Sequence, residues 1–266
     1  MKLKLIAAVV GLALSAASQA TIVPTTTAGG SDVLLDVWEQ GASNGAPDQS
    51  FTLDLGMNLT SFVNSANSAT APITLATLLS TDSTWTSFLS SSSNVPGDLE
   101  WSVIASGNKV PTKASLVATV AAGESASALA PDNTQLNQAN TQLFTTIGNL
   151  NVSGAPVVNE QVNTVASNAY YQTFHLSNFN SNAWDNGNAI GATGVQIAQS
   201  SILGTSSAGA TNTVVLAGTL GFVQNAATGN YVLSYNVAAV PEAPGFCMAL
   251  AGIAALGFLA LRRKNV

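Results

Sequence analysis

Thr211–Gln224 (TNTVVLAGTLGFVQ) and Tyr231–Val237 (YVLSYNV), joined by Asn225–Asn230 (NAATGN), decide the fold class. In the second run Tyr231, Leu233 and Tyr235 share one face and Val232, Ser234 and Asn236 the other. That is the period of two a strand imposes, because successive side chains point to opposite sides. β-branched and aromatic residues fill both runs and the connection contains Gly229, so the pair reads as an antiparallel hairpin.

The same signals recur upstream. Ser50–Leu55 alternates Phe51, Leu53 and Leu55 with Thr52 and Asp54. Ser31–Glu39 (SDVLLDVWE) is mostly apolar, and Gly41, Gly45 and Pro47 make its connection to Ser50 turn-rich. Leu99–Ser106 sets Trp101, Val103 and Ala105 on one face, and Ser115–Val120 is a further strand. Leu136, Ala139, Leu143, Phe144, Ile147 and Leu150 lie at helical spacing and predict a helix over Thr134–Leu150. Val162, Val165, Ala166 and Ala169 predict a second helix across Glu160–Tyr171. Asp82 caps a short helix carrying Trp85, Phe88 and Leu89. Thr25–Gly30 and Ser90–Ser93 read as short flexible tracts. Strands, a helical insert and strands again give a mainly β or α+β class: a sandwich-like antiparallel domain with helices at one end.

Composition narrows the function. Only 8% of the 266 residues are charged, against roughly a quarter in ordinary globular chains. Residues 21–240 hold two basic residues, Lys109 and Lys113, against twelve acidic ones, a formal charge of −10. Nucleic acid is excluded as a partner, since phosphate neutralisation needs clustered Lys and Arg. One Cys and one His exclude a Cys/His zinc site and an intrachain disulfide, and no cofactor or metal is expected. The solvated positions are filled by Ser, Thr and Asn, as in many secreted β proteins.

Both ends read as addresses. Lys2 and Lys4 precede an apolar run, Leu5–Leu14, and Ser18-Gln19-Ala20 offers small residues where a signal peptidase cuts, so residues 1–20 are a signal peptide cleaved after Ala20. At the other end, Val240-Pro241-Glu242-Ala243-Pro244 precedes the uncharged run Gly245–Leu261 (GFCMALAGIAALGFLAL) and then Arg262-Arg263-Lys264. Seventeen helical residues reach roughly 26 Å, a short membrane span that flanking cations extend by snorkelling. The cations keep the end cytoplasmic. The domains are therefore 1–20 signal peptide, 21–239 secreted acidic β-rich domain, and 240–266 anchor tail with a transmembrane helix at 245–261.

This ordered tail resembles the PEP-CTERM sorting signal, in Val240, Pro241, Glu242 and Pro244, the apolar run and the terminal Arg262, Arg263 and Lys264. The motif departs from the commonest form in having Ala243 where Pro is usual. The resemblance implies a Gram-negative envelope protein, inserted through one membrane span with its domain in the periplasm. It further implies processing by an exosortase-type protease and association with exopolysaccharide or biofilm matrix at the cell surface. Glu242 is then a recognition residue of a substrate, and no catalytic residue is assigned.

Enzyme patterns are sparse. Gly41-Ala42-Ser43-Asn44-Gly45 fits a nucleophile elbow with His175 as partner, but a turn explains it, since Pro47 and a strand follow where a helix is needed. Asp98/Glu100 and Asp32/Asp36 are the carboxylate pairs open to a glycan hydrolase. Trp184-Asp185-Asn186-Gly187-Asn188 is rich in oxygen ligands and open to Ca²⁺, though a tight turn accounts for it. Asn58-Leu59-Thr60 and Asn151-Val152-Ser153 match a glycosylation pattern of little weight in a bacterial setting. Strand alternation assigns three of the four Trp residues to the core. The leading expectation is a structural or adhesive envelope protein; a secreted hydrolase and a sugar- or calcium-binding module are the alternatives.

Overall fold

A computed structural model describes residues 22–39, 49–91, 99–107, 114–120, 133–152, 160–164, 187–202 and 211–237. In chain order the elements are β1 (Asp32–Glu39), β2 (Gln49–Asn58), α1 (Leu59–Ser68), β3 (Ile73–Leu78), α2 (Ser83–Ser91), β4 (Leu99–Gly107), β5 (Ser115–Thr119), α3 (Asn133–Val152), β6 (Glu160–Thr164), β7 (Asn188–Ala189), β8 (Val195–Ile202), β9 (Thr211–Gln224) and β10 (Tyr231–Asn236). The strands pair antiparallel into one sheet, ordered β3-β10-β9-β8-β5-β4-β1-β2-β6, with β7 beside β4.

The quoted hairpin forms as read. Tyr231 faces Gln224 and Asn236 faces Thr219, while Asn225 N donates to Asn230 O at 2.8 Å to close the loop. Tyr231, Leu233 and Tyr235 are buried and the alternate residues only partly so. Farther along, the β8–β9 pairing steps from Gln196↔Thr219 to Ala198↔Val215, so β9 carries a bulge around Gly218. A Cβ on Gly218 would run into the Tyr235 ring, whose hydroxyl instead accepts from Gly218 N at 2.8 Å and donates to Ala66 O at 3.3 Å.

The sheet curls into a half-barrel, and its two faces hold separate cores. Val33, Leu35 and Val37 of β1 point to the concave face, packing with Phe62 of α1, Trp85 and Phe88 of α2, Trp101, Phe222 and Tyr235. Leu34 and Trp38, on the opposite side of the same strand, pack with Leu116 and with Leu136, Leu143 and Ile147 of α3. All eight residues of β1 are buried, which is what a central strand covered on both faces requires. At the hub of the concave core Trp85 lies 4.9 Å from Phe51, 5.5 Å from Phe88 and 5.1 Å from Tyr231, ring centre to ring centre.

Three expectations change. The expected sandwich is replaced by one continuous sheet with helices on both faces. Strand alternation reports that a face is buried, and either a helix or a second sheet can bury it. Glu160–Thr164 is a strand paired to β2 instead of the start of a helix, while the rest of that expected helix, 165–171, lies outside the described residues. Thr25–Gly30 is an ordered turn: Thr25 is buried, and Gly29 and Gly30 hold φ of 99° and 83°. Within α3 all the expected apolar positions are buried except Phe144, which is 44% exposed. The transmembrane helix expected at 245–261 lies outside the described residues, as does the signal peptide. Among the described residues no helix is long and apolar enough to cross a membrane.

Candidate functional site

The most unusual chemistry in the described residues is a set of carboxyl groups folded inward. Asp32 and Asp36 lie on the face of β1 that also carries Leu34 and Trp38. Thr52 of β2 stands opposite Asp36, Asp54 opposite Leu34, and Ser102 of β4 flanks Asp36 on its other side. Each side chain has a specific donor. Thr52 Oγ1 donates to Asp36 Oδ1 at 2.6 Å, Val23 N to Asp32 Oδ2 at 2.6 Å, and Gly56 N to Asp54 Oδ1 at 2.8 Å.

Burial governs their protonation. Loss of hydration pushes Asp36 up to about 7, against which the Thr52 hydroxyl pulls the other way. Asp54 is pushed to about 6, by burial first, with the Asp32 charge adding to the rise and the Gly56 N–H opposing it. Asp32 is raised by burial too, and its bond from Val23 opposes the rise. No Lys, Arg or His occurs among the described residues.

On the opposite, concave side, Glu160 of β6 meets the start of α2. Burial, then the charge of Asp82 and a hydrogen bond to it, push Glu160 up to about 7, while a bond from Thr84 opposes. Asp82 caps α2 as expected, its Oδ1 accepting from Thr84 N and Trp85 N at 2.9 Å each.

The hydrolase candidates do not assemble among the described residues. Asp32 and Asp36 share a face, but four residues of extended chain separate them by roughly 13 Å, beyond the spacing of a glycosidase pair. Asp36 is only 3% exposed, closed to a polymer substrate. Glu100 is half-buried on β4 opposite Trp38, with Gly187 packed against both side chains so closely that a Cβ would collide. Ser43, Asp98 and His175 lie outside the described residues. Of the calcium candidate, Asn188 is buried and its Nδ2 donates to Val120 O at 3.2 Å, while Trp184, Asp185 and Asn186 lie outside the described residues. Among the described residues no three His, Cys, Asp or Glu side chains gather as a metal site would need.

The two glycosylation matches have internal roles. Asn58 Oδ1 caps α1 by accepting from Ser61 N at 2.9 Å. Asn151 makes a two-way bond with the Ile22 backbone, accepting from its N–H at 3.1 Å and donating to its carbonyl at 3.0 Å. Trp38 and Trp101 are fully buried on their strands, as the alternation predicts, and Trp85 is fully buried on α2.

The sorting residues Val240, Pro241, Glu242 and Pro244, the cations Arg262, Arg263 and Lys264, and the cleavage residue Ala20 all lie outside the described residues. Sequence reasoning missed Asp54 and Glu160 as inward-facing acids. The signal that could have found them is charge imbalance, for acids on strands with almost no cations in the domain are acids that must titrate when buried. Compared with known proteins, the chain matches no family model, no curated protein and no solved structure.

Proposed function

We propose that this chain is an exported envelope protein, held in the inner membrane by its C-terminal span and sorted through the Val240–Pro244 motif by an exosortase-type protease. Its domain serves as a structural or adhesive element of an exopolysaccharide matrix. The observation that carries this reading is the ordered tail, motif then apolar run then Arg262-Arg263-Lys264, at the end of a chain that opens with an export signal.

Two features of the domain support it. Ile22, two residues past the expected cleavage after Ala20, is buried against α3 and tied to Asn151, so the new N-terminus would enter the fold at once. At the other end β10 stops at Asn236, four residues before Val240, and is paired on both sides, to β3 and to β9. A pull on the tether is then shared between two ladders. The inward acids serve the fold: each accepts a bond that fixes a strand, a turn or a helix start.

The test is fractionation. The full chain is expected in the membrane fraction, and a chain lacking residues 240–266 in the periplasm or medium. Equal distribution of the two would overturn the reading.

A further inference from the structure

One end of the sheet is β3, whose only neighbouring strand among the described residues is β10. The bond from Asn225 N to Asn230 O fixes how the backbone groups alternate from there on. Bonded pairs recur at every second residue, so Val232, Ser234 and Asn236 turn their N–H and C=O groups to β9, and Tyr231, Leu233 and Tyr235 turn theirs to β3. Opposite the latter three stand Leu78, Ala76 and Ile73. Thr77 and Thr74 therefore direct their backbone groups outward, where no strand lies among the described residues.

Such an edge is a template for another strand, and proteins blunt it with charge, Pro or a twisting bulge. No residue between Asp54 and Asp82 is charged, in a domain that is otherwise acidic. β6, at the other end of the sheet, opens with Glu160, the kind of charge that β3 lacks. Pro72 precedes β3 and leaves the outward N–H groups of the strand in place. The bulge at Leu75 brings Thr74 and Thr77 onto one face, opposite Ser234 and Val232, and both threonines are exposed.

We propose that β3 is a self-association edge, occupied by β3 of a second copy running antiparallel about a two-fold axis. One register matches both faces and both outward residues. Thr74 stands opposite the partner's Thr77, and Thr77 opposite the partner's Thr74. Ile73 meets the partner's Leu78, and Leu75 the partner's Ala76. The two threonine pairs exchange four backbone hydrogen bonds and set their side chains beside each other. Ile73 and Leu78 already pack with the concave core, and in the pair they meet on that face. Exposed Leu79 reaches the partner's Pro72. The pairing continues the β10–β3 ladder without altering it, and it sets both concave cores on the same side of one sheet. Because the contact is isologous, it closes at two copies. It uses the domain alone and holds whether or not the tail sorts the chain.

Cysteine crosslinking tests it, on the full chain in detergent with Cys247→Ser as background. In this register the Cα of residue 74 lies about 5.5 Å from that of residue 77 in the partner, within disulfide reach. It lies roughly 10 Å from that of residue 74 in the partner, beyond reach. Under mild oxidation, Thr74→Cys and Thr77→Cys copies should crosslink when mixed at least about ten-fold more than either does alone. Thr77→Pro removes an outward N–H from each copy and leaves the β10 ladder intact. Its dimer dissociation constant by sedimentation should rise at least about ten-fold over wild type, with circular dichroism unchanged. Crosslinking no greater in the mixture than in the separate variants, or a wild type that associates no more tightly than Thr77→Pro, would overturn the pairing.

Discussion

Asp36→Asn is the substitution whose effect the structure sets most sharply. Asp36 is buried on β1 with a short bond from Thr52, and its carboxyl rises from 3.8 to about 7 on folding. An acid raised in the folded state is bound to its proton more tightly there than in the unfolded chain. Its contribution is therefore greatest below pH 4, declines as pH climbs through 4 to 7, and is lost above 7. Between pH 5 and pH 8 this one group removes about 2 to 3 kcal/mol, because each unit of separation is worth about 1.4 kcal/mol. Asparagine keeps the shape and the acceptor for Thr52 but cannot ionise. Urea unfolding of the full chain in detergent, followed by fluorescence of the buried Trp residues at pH 5, 6, 7 and 8, measures the difference. Wild type is expected to lose stability as pH rises. The variant should lose about 2 to 3 kcal/mol less over the same interval, whatever its absolute stability at pH 5. Parallel curves for the two proteins, or a wild type that gains stability toward pH 8, would refute the reasoning.

Other perturbations follow from the same packing. Thr52→Val removes the donor that partly supports ionised Asp36, so its cost in the same unfolding series should be larger at pH 8 than at pH 5. Trp85→Ala empties the hub of the concave core and should cost about 3 to 5 kcal/mol, with loss of near-ultraviolet circular dichroism; retention of both would contradict the aromatic hub. Asn151→Ala breaks both bonds to Ile22, so about 1 to 3 kcal/mol should be lost and limited proteolysis should trim the segment before β1 first. Gly30→Ala puts a Cβ at φ 83°, 2.9 Å from Leu59 Cβ and 3.1 Å from Ser106 O, and should destabilise by at least about 1 to 2 kcal/mol in thermal unfolding.

The fold was legible where one strand face is apolar and the other polar. The β9–β10 hairpin and β2 announce themselves in that way, as do α3 by its repeat and α2 by its cap. β3 (ITLATL) and β8 (VQIAQSSI) were not seen, since neither alternates cleanly. β3 is a sheet edge with a pairing irregularity opposite Leu233 and Ser234, and β8 sets Ser200 in a buried position. How the strands close on one another was not legible either. Burial of a face by α1, α2 and α3 leaves the same local pattern as burial by a second sheet. The inward acids were half legible. Asp32 and Asp36 read as a possible catalytic pair, yet a period-two pattern places Asp54 on what reads as a solvent face. Its burial there depends on long-range packing that no local window contains.

Export and anchoring are tested most directly by the intact mass and N-terminal sequence of the chain recovered from the membranes of its native cell. Expected is a species that begins at Thr21 and retains Gly245–Leu261, with a processed form ending between Val240 and Pro244. A single species beginning at Met1, full length and freely soluble in the cytosol, would contradict the sorting of this protein through its tail.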